Sequence, residues 1–108
     1  MYSKQDIEKL IELILKVLEP EKIILFGSYA TGNYTKESDI DLMILIKSEL
    51  TRVLKRNILY SLRKQFFNQN INVDFVLNTV EKFDAQNKYI GTIFNEVARD
   101  GIVLWKKN

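Results

Sequence analysis

The sequence predicts an α/β domain of the α+β kind, a small mixed β-sheet packed against helices, on three observations. Two long segments, residues 7–18 and 50–67, repeat their apolar side chains at helical spacing. Three short runs, residues 22–26, 39–46 and 71–77, are apolar and partly β-branched, as buried strands are. The order is helix, strand, strand, helix, strand, helix, short strand, with no repeat, linker or low-complexity stretch. A chain of 108 residues fills one domain, expected to span residues 1–108.

Each element has a local reason. Ile7, Leu10, Ile11, Ile14, Leu15 and Leu18 line one face of the first helix, with Ser3 or Asp6 as its cap and Pro20 as its stop. Ile23-Ile24-Leu25-Phe26 forms a strand that ends at Gly27-Ser28. Small and polar residues follow from Tyr29 to Ser38, predicting a short helical turn and then a loop. In the second strand Asp39 and Asp41 share one side, and Ile40, Leu42, Ile44 and Ile46 share the other. The second long helix turns Leu50, Val53, Leu54, Ile58, Leu62 and Phe66 inward. A third strand follows the turn Asn68-Gln69-Asn70. A last helix is predicted over residues 87–99, with Ile90, Ile93, Phe94, Val97 and Ala98 inward and Gly101 as its stop. Residues 102–105 read as a short edge strand. Phe66, Phe67 and Phe83 are expected in the core, and Trp105 fits a core edge or an interface equally well.

Composition narrows the chemistry. Hydrophobic residues at 46% and charged residues at 28% describe a globular chain rather than a disordered one. With no Cys and no His, the chain has no disulfide, no zinc–thiolate site, no thiol nucleophile and no imidazole base. Any metal must sit among oxygen ligands, which suits Mg²⁺ or Mn²⁺. A net charge of +2 is too small to argue for nucleic acid by itself. No apolar run is long enough for a membrane helix, and the charged N-terminal residues do not resemble a signal region. The expected location is the cytoplasm.

Asp39 and Asp41 are the first chemical signal. Two like charges on one side of a strand repel, and a divalent cation between them removes that cost. An Asp-x-Asp alone more commonly means that Asp39 opens the strand as a turn residue and Asp41 sits exposed at its edge. Gly27-Ser28 is the second signal. A glycine at a strand end lets backbone approach a ligand, and the first N–H groups of a helical turn attract phosphate oxygens. Alone, that pair also fits an ordinary turn. Asp74 is the third signal, a charge inside the apolar run Asn72-Val73-Asp74-Phe75-Val76.

Taken together, the stretch GSYATGNYTKESDIDLMIL resembles the signature of the DNA polymerase β-like nucleotidyltransferases, and most closely their minimal nucleotidyltransferase (MNT) group. The matching positions are Gly27, Ser28, Ala30, Gly32, Ser38, Asp39, Ile40, Asp41 and Leu42. The resemblance implies a polymerase β-like fold and a Mg²⁺ site on Asp39, Asp41 and Asp74, which are also the catalytic residues. It implies nucleotide contacts from Gly27, Ser28, Gly32 and Ser38, with ATP as substrate. One departure is Thr31, where relatives often have an Arg before the second glycine. If that Arg contacts phosphate, the triphosphate grip is either weaker here or supplied by Lys36, Lys47 or Arg63.

Stand-alone MNT proteins resemble the antitoxin half of two-gene modules whose partner is an all-helical HEPN ribonuclease. The implied activity is transfer of AMP to a tyrosine hydroxyl of that toxin, in a hetero-oligomer, with no membrane and no direct nucleic-acid contact. Two alternatives remain: a nucleotidyltransferase acting on a small molecule of the aminoglycoside type, and a non-catalytic antitoxin acting by contact alone. The basic face Arg52, Lys55, Arg56, Arg63 and Lys64 reads first as a solvated helix surface, and second as a guide for nucleotide, RNA or an acidic partner.

Overall fold

The computed structural model describes residues 1–108. Its elements are α1 (Lys4–Val17), β1 (Lys22–Phe26), α2 (Ser28–Thr31), β2 (Ile40–Ile46), α3 (Arg52–Asn68), β3 (Val73–Thr79), α4 (Val80–Gln86), α5 (Ile93–Asp100) and β4 (Ile102–Lys106). The four strands form one mixed sheet in the order β3-β2-β1-β4. β1 runs antiparallel to β2 and β4, whereas β2 and β3 are parallel and joined through α3. A parallel pair needs such a crossover, because no tight turn returns the chain to the same end. No helix is long and apolar enough to cross a membrane.

The alternation of β1 and β2 builds two cores. Ile23, Leu25, Ile40, Leu42, Ile44 and Ile46 face α1 and α3, where Leu10, Ile14, Leu62 and Phe66 meet them. Ile24, Phe26, Met43 and Leu45 face the other way, against Phe94 and Val97 of α5. β2 is therefore covered on both faces, which explains its nearly continuous apolar sequence. Asp41 is the one charged residue in that strand.

Local signals set the ends. Ser3 and Asp6 form a reciprocal capping box on α1. Thr51, Thr79 and Thr92 each accept a backbone N–H at the start of α3, α4 and α5. α1 ends at Val17, three residues before Pro20. Gly101 stops α5 in an extended rather than left-handed conformation. A Cβ there would collide with the Val97 carbonyl and Ile24, so close packing is what selects glycine.

Several expectations need correction. α4 was not foreseen, because residues 80–86 span two turns and show no full apolar repeat. The last helix starts at Ile93 rather than residue 87, since Gly91 at φ 91° turns the chain and Thr92 caps it. Ile90, expected inward, lies in that turn and is 93% exposed. Ile93 and Ala98 are exposed too, which leaves Phe94 and Val97 as the buried side of α5. α3 begins after Thr51 and buries only Leu62 and Phe66 fully. Val53 and Leu54 face solvent, and so does Phe67. Phe83 packs where expected, and Trp105 lies half-buried against the core at its edge.

Candidate active site

β1 ends and β2 begins at the same end of the sheet, because the two are antiparallel. Phe26 pairs with Asp41, and Asp41 pairs in turn with Asp74 on β3. Neighbouring strands lie about 4.8 Å apart, so the two carboxylates leave one face side by side. Asp39 lies just before β2, which begins at Ile40 rather than at residue 39, and is close enough for its charge to act on Asp41. Asp39 and Asp74 are exposed and Asp41 is half-buried.

Gly27 is locked to this array. Its φ of 71° and ψ of −154° belong to a region that side chains essentially exclude. A Cβ there would also strike the Asp41 carboxylate oxygen Oδ2. Backbone conformation and close approach thus demand glycine independently. Gly27 then caps α2, and no side-chain hydrogen bond closes that helix start. Gly32, at φ 85°, ends α2 in the left-handed region with open space around it. The Thr31 hydroxyl donates back to the carbonyls of Gly27 and Ser28, at 3.4 and 3.5 Å, and so serves the turn. Ser38 accepts the Thr35 N–H at 2.8 Å and shapes the loop that delivers Asp39.

An aromatic clasp holds this end together. The Tyr2 N–H donates to the Tyr29 hydroxyl at 3.1 Å, and the Tyr2 hydroxyl accepts from the Asn72 N–H at 2.8 Å. The Asn72 carbonyl then accepts the Ile40 N–H at 3.0 Å. Tyr29 stacks on Tyr34 with ring centroids 4.4 Å apart. The N-terminus, α2, β2 and β3 are therefore tied at the point where the acids emerge.

The electrostatics are strained. Burial, followed by the charges of Asp74, Asp39 and Glu96, pushes the Asp41 carboxyl up to about 6 from its usual 3.8. Glu96 escaped the sequence reading. Its only signal was an acid one step from the buried Val97, which any amphipathic helix can show. α5 packs on the Phe26 face and so brings Glu96 to the acids. A cleft of about 400 Å³ between Phe26 and α5, lined also by Thr92, Ile93 and Asn95, opens beside it.

No three acids already stand at metal-ligating spacing. The donor set nevertheless suits a hard divalent cation: oxygen ligands alone, on adjacent positions, with a surplus of like charge around Asp41. Of the cations offered in place of the missing Arg, Lys47 follows the far end of β2, about 20 Å along the strand from Asp41. Arg63 lies over the Phe75 ring at 5.7 Å, on the α3 side. Lys36 lies in the loop leading to Asp39.

Comparison with known proteins agrees with this fold. A candidate protein adenylyltransferase of Methanocaldococcus jannaschii is 38% identical over 73 residues, covering 57% of this chain and 73% of that protein. A chain of a toxin–antitoxin crystallised with AMP-PNP shares the fold at a TM-score of 0.64 and 24% identity, over 94% of this chain and 73% of that one. A chain from the complex of tri-AMPylated Shewanella oneidensis HEPN toxin with MNT antitoxin does so at 0.57 and 22%, over 93% and 69%. The family model described as nucleotidyltransferase domain matches residues 7–98. With the sheet order, the glycine-capped turn and the acids at one sheet end, the chain belongs to the nucleotidyltransferase domain family.

Proposed function

We propose that this nucleotidyltransferase transfers AMP from ATP, with Mg²⁺, to a tyrosine hydroxyl of a cognate HEPN ribonuclease toxin, and so acts as its antitoxin. The observation that carries the reading is the packing of Gly27 backbone on Asp41, within an array of like-charged acids. That packing supports the reading, because it would hold a phosphate-binding turn and a cation-binding strand together. The protein target is supported by the M. jannaschii relative, described as a protein adenylyltransferase, and by toxin–antitoxin complexes among the fold neighbours.

Asp39, Asp41 and Asp74 would hold the metal, which when bound supplies charge neutralisation at the phosphates and lowers the pKa of the attacking hydroxyl. The turn from Gly27 to Gly32, with the Ser28 hydroxyl, holds the terminal phosphates, and Ser38 keeps the following loop in shape. Asp74, exposed on the edge strand β3, takes the proton of the acceptor hydroxyl. The acceptor oxygen bonds to the α-phosphorus, and the bond to pyrophosphate breaks. The chain's contribution is positioning and charge, which explains how a site without His or Cys is complete.

The test is to mix the protein with α-labelled ATP, Mg²⁺ and the product of the neighbouring gene, and to map the label by mass spectrometry. Label on a tyrosine of that product, lost in Asp39→Asn and Asp41→Asn, supports the reading. Tight binding with no label points instead to an antitoxin acting by contact. ATP consumption with label only on an added aminoglycoside points to a small-molecule enzyme.

A further inference from the structure

α3 has an outer face that the fold does not use. Leu62 and Phe66 are buried against the sheet. On the opposite side of the helix, Val53, Tyr60 and Phe67 are 56%, 67% and 83% exposed. They recur every seven residues, so they stack into one nearly straight ridge about 21 Å long. Arg56 and Arg63 flank the ridge on one side and Lys64 on the other, by helical geometry. The helix carries no acidic residue over its whole length. The chain's two ion pairs, Lys9–Glu12 and Arg99–Asp100, both lie elsewhere. An apolar ridge flanked by unpaired cations is thus left open.

The ridge leads to the candidate site. The C-terminal half of α3 packs on β3, with Phe66 edge-on to Phe75 at 5.4 Å and Arg63 over the same ring. Phe75 directly follows Asp74. β3 is an edge strand, and the C-terminal end of α3 and Asp74 lie on opposite faces of the sheet at that edge, so a partner on α3 reaches Asp74 around the β3 edge.

We propose that the outer face of α3 is the docking surface for the acceptor protein, through an amphipathic helix that seats its apolar side between Val53, Tyr60 and Phe67 and sets carboxylates against Arg56, Arg63 and Lys64. The inference rests on the reading above in that the partner carries the acceptor hydroxyl. Charge complementarity selects an acidic partner. The heptad spacing selects a helix, whose own repeat matches it. The bare apolar ridge along the centre of the face favours protein over RNA, which takes cations alone or aromatic platforms arranged for bases. Docking there brings the acceptor to Asp74 from the β3 edge and leaves the turn at Gly27 open to ATP.

The experiment measures binding of the full-length chain to the neighbouring gene's product by calorimetry at low and moderate salt, and the KM for labelling of that product. Tyr60→Ala with Phe67→Ala, and Arg56→Glu with Lys64→Glu, are each expected to weaken binding at least about tenfold and to raise that KM in step. The charge reversals should also flatten the salt dependence. The thermal shift given by AMP-PNP with Mg²⁺ should match wild type in all variants, which reports an intact fold and nucleotide site. Wild-type affinity in both pairs of variants overturns the proposal, as does the absence of binding by the wild-type chain. Tighter binding to poly(U) RNA or to phosphatidylserine vesicles, lost in the same variants, reassigns the face to those ligands and overturns it too. Dissociation of a wild-type dimer by Tyr60→Ala, seen by sedimentation, assigns the ridge to a second copy. Binding that depends on α3 without any label fails only the catalytic reading, whereas label with an unchanged KM fails only the docking face.

Discussion

The two ends of the sheet invite comparison, because both gather charge and only one is strained by it. At one end Asp39, Asp41, Asp74 and Glu96 bring like charges together and drive the Asp41 carboxyl up to about 6. At the other, Lys22, Lys47, Lys106 and Lys107 mingle with Glu21, Glu81 and Asp84 around a cleft of about 580 Å³, the larger of the two. Opposite signs interleave there, which is how a solvated surface balances itself. At the acid end the chain holds a glycine in a backbone region closed to side chains and packs it on a half-buried carboxylate. Cavity size points to the lysine end. Unrelieved charge and backbone strain point to the acid end, and these are the features a fold retains only for a reason.

The sharpest way to break the contrast is Asp41→Asn. Transfer activity should fall at least about 100-fold, measured with α-labelled ATP. The metal-free protein should become more stable at pH 8. The sign follows from the raised carboxyl: the folded state binds the proton more tightly than the unfolded chain does, so stability falls as pH rises from about 4 to 6 and stays reduced above. After allowance for solvent screening, the gain in the variant is roughly 1 kcal/mol, or a few degrees in Tm. A variant that is inactive and less stable at pH 8 would contradict the origin given for the strain.

Gly27→Ala should cost about 3 kcal/mol, because it meets both a closed backbone region and the Asp41 carboxylate, and activity should vanish with it. A thermal melt together with the transfer assay checks this. Next in size is the response to Mg²⁺. Millimolar Mg²⁺ should raise Tm at pH 8 and much less at pH 5, where Asp41 holds its proton. Tyr2→Phe removes the acceptor of the Asn72 N–H and should cost about 1 kcal/mol, with a smaller loss of activity. Lys47→Ala, at the lysine end, should leave kcat/KM for ATP within about twofold of wild type and stability within roughly 0.5 kcal/mol. A large loss there would move the nucleotide to the other end of the sheet.

Much of this was legible in the sequence, for identifiable reasons. Asp41 announced itself because a charge in an otherwise apolar strand is conspicuous, and Asp39 by its place two residues earlier, although the strand itself starts only at Ile40. β4 was legible as an edge strand from its short run after Gly101. Glu96 was not legible, since its place at the acids depends on how α5 lies over Phe26. Phe67 and Ile90 were misplaced because hydrophobicity alone says nothing about which apolar side chains stay outside. α4 stayed hidden because two turns are too few to display a period. The pairing of Asp41 with Asp74 required the parallel register of β2 and β3, which no local pattern fixes.

The tyrosine clasp has a bearing on time. Tyr2 and its hydroxyl partner, Asn72, stand 70 residues apart in the chain. The clasp cannot close until the chain has been made as far as β3, and its contacts are among the longest in sequence that the fold makes. Until then Asp41 can settle against the Gly27 turn, 14 residues before it, but lacks its neighbour Asp74. The array of acids is therefore completed by contacts far apart in sequence, when Tyr2 meets Asn72 at the start of the third strand.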